Sequence, residues 1–182
     1  MIRNSFSECG ILLPGGPRQR YGRLGFALLF FTGFAALQAG YSYFLTDTVK
    51  VALVQLSTLD PSAGLINLFT PREQVLVKKQ MLLSPYASMS VQKGCEGTEG
   101  LFLLFAAVAA FRTSWRQKIL GWVAGLGLIA LLNISRIVSL YYVLRFEKKA
   151  FGLLHGYLWP SCIVLAGALF FLWWTEQQEG TA

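Results

Sequence analysis

The sequence predicts an all-α integral membrane protein: a bundle of about four transmembrane helices, with an extramembrane or interfacial segment between the first and the second. Three observations carry this. Of 182 residues, 54% are hydrophobic and only 14% charged, where soluble domains carry roughly a quarter charged residues; mean hydropathy is +0.51. The apolar residues gather into runs that approach or exceed the length a helix needs to cross a bilayer. The basic residues flank these runs instead of forming one stripe. The net charge of +7 therefore points to anionic headgroups of membrane lipid, and not to nucleic acid. Five tryptophans among abundant aromatics suit the two interfacial belts of such a bundle.

Residues 1–23 form a basic tail in which Arg18, Arg20 and Arg23 precede the first run. Residues 24–46 hold no formal charge over 23 positions, enough for the roughly 20 residues a spanning helix requires. The run is long and no clear A-x-A site follows, which favours a retained helix over a cleaved signal peptide. Residues 47–94 contain three prolines, scattered charges and no long apolar run, so they do not span. Their short apolar stretches, 49–59 and 63–69, are expected to lie along the interface or pack on the bundle. Residues 88–93 alternate weakly, as a strand does.

Residues 95–175 form the core, with three further spans. Residues 100–111 are apolar, but twelve positions are too few to cross alone; extension back to Cys95 gives 17, with Glu96 and Glu99 in the first turns. A basic loop with Arg112, Arg116 and Lys118 follows. Residues 119–135 are uncharged, and the helix continues to Leu144 if it accepts Arg136. Residues 150–175 are the last span, holding His155 and Cys162, and residues 176–182 form a polar tail. Four crossings place both termini on one side. The 112–118 loop, with three bases and no acid, puts that side in the cytoplasm, so residues 47–94 are extracytoplasmic.

On this topology three unusual side chains reach one depth from three helices. Cys95 opens the second span at its outer end. Arg136 lies 17 residues beyond Ile119, about 26 Å of helical rise across a hydrocarbon core of roughly 30 Å. His155, the one histidine of the chain, stands near the outer start of the fourth span. A lone membrane cysteine is usually a small apolar filler, and Cys9 and Cys162 are read that way. Cys95 differs in its glycine-rich setting at a helix N-terminus, where the dipole lowers a thiol pKa. Asn133 and Arg136 lie three residues apart on one helical face, and an intramembrane ionisable residue is a functional hypothesis by default.

Acyl transfer wants these residue types. A thiolate attacks a peptide carbonyl, a histidine activates the thiol and then protonates the leaving amine, and a fixed cation stabilises the oxyanion. Arg136 is no base at ordinary pH, so stabilising or positioning is its task. Glu96 and Glu99 orient a partner, balance Arg136 or recognise a basic feature; acids in a first helical turn are favoured in any case. The cysteines stand far apart, without a CxxC or a Cys/His cluster. Neither a disulfide framework, a metal site nor any other cofactor is therefore expected.

GCEG around Cys95, N-x-x-R at Asn133–Arg136 and the His155 that follows, in that order, resemble the exosortase/archaeosortase family of integral-membrane cysteine transpeptidases. The small size is most like the short branch called exosortase H. The resemblance covers roughly residues 90–160. It implies Cys95 as nucleophile, Arg136 as transition-state stabiliser and His155 as acid/base; Asn133, Glu96 and Glu99 are read beside them as supporting residues. It also implies partners: exported proteins ending in a recognition motif, a hydrophobic helix and a basic cluster. These would be cut at the outer face of the bacterial inner membrane, toward the periplasm, and transferred to an acceptor. The competing reading is a non-enzymatic scaffold or small transporter subunit in which Arg136, Glu96 and Glu99 line a polar path. A quinone-linked thiol oxidoreductase is disfavoured because no second cysteine neighbours Cys95. The topology makes a prediction: Cys95 reacts with a membrane-impermeant maleimide added from outside intact spheroplasts. Labelling solely from the cytoplasmic side contradicts the orientation.

Overall fold

A computed structural model of the chain describes residues 22–91 and 97–179. Four apolar helices make up the bundle: α1 (Arg23–Phe44), α4 (Thr98–Ala110), α5 (Trp115–Phe146) and α7 (Trp159–Glu179). Among the described residues, three helical segments are long and apolar enough to cross a membrane: Leu24–Phe44, Trp115–Phe146 and Lys148–Gln178. The last is composite. A 3-10 turn (Lys148–Ala150), the short α6 (Phe151–Leu153) and a π turn (Leu154–Leu158) lead directly into α7. The all-α membrane bundle is thus as the sequence predicts, with one refinement. The described part of the second predicted span, α4, has 13 residues, or about 20 Å of rise.

α5 runs longer than its uncharged stretch. Ser114 caps its N-terminus by accepting the Gln117 N–H at 3.4 Å, and the helix then continues unbroken through Arg136 to Phe146. Its 32 residues give about 48 Å of rise, well beyond the hydrocarbon core. The basic loop before it is partly structural: Lys118 Nζ donates to the Ala109 carbonyl at 2.7 Å, satisfying the end of α4.

In lipid the helices gain little from the hydrophobic effect, so close packing has to hold them together. Glycine provides it at three places. A Cβ at Gly121 would stand 2.8 Å from the Trp174 indole, one at Gly125 2.6 Å from Leu104, and one at Gly100 2.9 Å from Ile163. Leu104, Val108, Ile129, Ile163 and Trp174 form the buried centre of the bundle. Leu28, Phe31, Val123, Leu131, Leu165 and Leu169 are exposed on its outside, where lipid is their solvent.

Residues 47–91 fold into a cap over one end of the bundle. α2 (Asp47–Val54), a π turn (Gln55–Leu59) and α3 (Asp60–Phe69) follow one another without a break, and the antiparallel strands β1 (Leu76–Lys78), β2 (Met81–Leu83) and β3 (Ser88–Ser90) come next. The sheet order is β1-β2-β3, with Val77 opposite Leu82 and Leu82 opposite Met89. The alternation read at residues 88–93 thus becomes β3, while residues 92–96 lie outside the described residues. Leu59, Ile66, Leu82 and Met89 bury themselves against Ile137, Leu140 and Tyr141 of α5. The apolar stretches 49–59 and 63–69 therefore pack on the end of α5.

A buried polar knot fixes the cap to α5. Glu73, only 4% exposed, accepts the Tyr141 hydroxyl proton and pairs with Arg145 Nε at 3.4 Å. Tyr141 also meets Ser84 Oγ at 2.7 Å, and Tyr142 meets Thr70 Oγ1 at 2.6 Å. A carboxylate this deep is costly unless every neighbour donates to it. Tyr141→Phe should lower stability by about 1–3 kcal/mol, the cost of stranding a buried acceptor, and Tyr142→Phe at a half-buried site by about 0.5–1.5 kcal/mol. Denaturant unfolding in mild detergent measures both; equal small losses would contradict the role given to Glu73.

Candidate active site

Arg136 and Asn133 project from one face of α5 and are 4% and 5% exposed. They sit at a boundary. One turn from Asn133 toward the 112–118 loop, Ile129 belongs to the bundle core; one residue beyond Arg136 the other way, Ile137 belongs to the cap core. Arg136 is thus held where the two apolar cores meet, closed off from water on both sides.

The structure brings three of the predicted positions together. Arg136 Nη2 donates to the main-chain carbonyl of His155 at 3.4 Å. Arg136 Nε is buried and has no hydrogen-bond partner among the described residues. The His155 imidazole is half-buried and stacks on Phe151, ring centroids 5.3 Å apart and planes 8° from parallel, which fixes the plane of the ring. Asn133 meets the start of α4: Gly97 has φ +74°, and a Cβ added there would overlap the Asn133 amide. Glycine is required at this position twice over, for its left-handed backbone and for the space.

Cys95 and Glu96 lie outside the described residues, as does Cys9. Cys95 precedes Gly97 by two positions in the chain. Glu99 is exposed in the first turn of α4, and among the described residues no ion pair joins it to Arg136. Cys162 is exposed on α7. Among the described residues no group of His, Cys, Asp and Glu could hold a metal ion.

Over residues 8–174 the chain matches the model of a protein family described as transmembrane exosortase, of the EpsH type. The chain belongs to the transmembrane exosortase family. Neither a curated protein nor a solved structure matches it. Exosortase membership gives the chain a membrane-bound sorting and transpeptidase role in general terms, and it agrees with a bundle of apolar helices.

Sequence reasoning missed the contact of Gly97 with Asn133, because one of three glycines in the seven residues 94–100 carries no mark of being the one that touches another helix. It also missed Phe151, one turn before His155, whose i, i+4 spacing was the available signal. In this exosortase Gly97→Ala should cost about 1–3 kcal/mol from the left-handed backbone alone, and more from the overlap. Asn133→Ala in the same chain should recover the overlap but not the backbone strain. A double-mutant cycle on thermal unfolding reads this as positive coupling; strict additivity would mean the two residues do not touch.

Proposed function

We propose that the protein is a membrane-embedded cysteine transpeptidase that cleaves C-terminal sorting signals of exported proteins and passes the new carboxyl end to an acceptor. The observation that carries this is the meeting of Arg136 with His155, and of Asn133 with Gly97, in a chain of the exosortase family. Cys95 lies two positions before Gly97, at most about 7 Å of chain, so the thiol is tethered to the same junction.

In this reading Cys95 is the nucleophile. Its thiolate sulfur attacks the scissile carbonyl carbon; a C–S bond forms and the carbonyl oxygen becomes an oxyanion. Arg136 donates toward that oxygen, its Nε being the buried group still to be satisfied. The intermediate collapses by breaking the C–N bond, and His155, having taken the thiol proton, delivers it to the departing amine. The thioester left on Cys95 is attacked by the acceptor, and the thiol is restored. A guanidinium fixed in an apolar surround needs no reorganisation as the charge develops, which is where such sites gain most of their rate. Asn133 holds the start of α4 against α5 and so sets the distance between sulfur and guanidinium. The catalytic face is periplasmic, at the outer surface of the bacterial inner membrane.

Cys95→Ser should abolish processing of an exported reporter bearing a sorting tail, with protein abundance unchanged. Arg136→Lys keeps the charge but loses the planar fork and should reduce processing by about 10²–10³, the usual effect of removing one oxyanion donor. Immunoblots of precursor and product read both. Full processing by Cys95→Ser would leave the scaffold or transporter reading in its place.

A further inference from the structure

The geometry points to Pro160 as the positioning residue for Arg136: by withholding a backbone donor it opens the helix at His155 into a π turn and leaves the His155 carbonyl for the Arg136 guanidinium. This rests on the assignment of Arg136 and His155 to the active site. In the π turn Leu154–Leu158, the N–H of Trp159 bonds to the carbonyl of Leu154, five residues back. In an α-helix that N–H would bond four residues back, to His155. In π register the donor to the His155 carbonyl would be residue 160, which is proline and has no N–H. The proline ring also collides with the carbonyl four residues earlier, that of Gly156, so the helix widens to relieve it. The guanidinium of Arg136 reaches in from α5 and donates to the His155 carbonyl at 3.4 Å.

The same cause acts a second time in the molecule. In the π turn Gln55–Leu59, the N–H of Asp60 bonds to the carbonyl of Gln55, again five residues back. Pro61 follows at the offset that Pro160 has from Leu158. Proline two residues past the turn is thus the shared feature of both π segments. At Leu56, the counterpart of His155, the side chain is exposed; only the second turn faces the buried arginine. Pro160 thereby fixes Nη2 of Arg136 to the backbone and leaves Nε to be turned toward another partner. π turns concentrate at functional sites, and here the turn has a sequence cause.

His155 is the one histidine of the chain, so feeding 1-13C-histidine labels that carbonyl and no other. Isotope-edited infrared spectroscopy of the full-length protein in nanodiscs then reads its hydrogen bond. In the parent, Arg136→Met should shift the labelled amide I band to higher wavenumber. In the Pro160→Ala background, a backbone N–H replaces the guanidinium and Arg136→Met should leave the band unmoved; Pro160→Gly supplies the same N–H if the alanine variant folds poorly. Pro61→Ala, which adds an N–H at the other π turn, should not move the band. Processing should fall at least about ten-fold in Pro160→Ala, since small misplacements of catalytic groups are costly. An Arg136-insensitive band in the parent, or the same Arg136 response with and without Pro160, overturns the proposal. Full processing by Cys95→Ser with the infrared coupling intact would sink the catalytic reading alone.

Discussion

A guanidinium buried where a membrane bundle meets a folded cap is the constraint on which the rest of this structure depends. An unsatisfied cation in hydrocarbon is among the most expensive things a membrane protein can hold. Arg136 is 4% exposed, and among the described residues it is a backbone carbonyl that meets the cost. The carbonyl it uses belongs to His155, in the stretch where a π turn breaks the regular bonding pattern of the last helix. A carbonyl leaves the cation its full charge, where an ion pair would have neutralised it. That is the electrostatic condition a stabiliser of developing negative charge requires.

The cap follows from the same constraint. α5 is longer than a bilayer demands, and its extra turns carry Ile137, Leu140 and Tyr141 into the cap core. The polar knot of Glu73, Tyr141, Ser84 and Arg145 fastens the cap to α5 within a few turns of Arg136. At the other side of Arg136, Asn133 fits against Gly97 at the start of α4. One helix therefore carries three successive anchors, to α4, to the composite last helix and to the cap. A shift of α5 along its axis would disturb all three at once. Cys95 is joined to this junction covalently, two residues before Gly97 in the chain.

Much of this was legible in the residues. Runs of more than 20 uncharged positions announced α1 and the last helix, and N-x-x-R announced a polar face on α5. The sheet was not legible. Its three strands are three residues each, too short for a period-2 pattern to stand out, and their pairing depends on burial against α5. Glu73 was missed for a related reason. In the stretch PREQ it looks like a solvated acid, and its partner Arg145 lies 72 residues away. The span length of the second helix was read as short, and the described α4 is short indeed. The π turns were written in the sequence as prolines inside apolar helices. What proline does there depends on which neighbour can take over the stranded carbonyl, and that is tertiary information.

The central claim is that the thiol tethered to this junction is acylated by a sorting tail. The most direct measurement is mass spectrometry of the purified protein after co-expression with a tail-bearing reporter, quenched in acid. The tryptic peptide spanning residues 94–112 contains Cys95 and neither of the other cysteines. The account predicts a hydroxylamine-labile adduct on that peptide, with the mass of the reporter's new C-terminus, which accumulates when acceptor transfer is slow. Cleaved reporter appearing in quantity while Cys95 remains unmodified, or an adduct found on Cys9 or Cys162 instead, would contradict it.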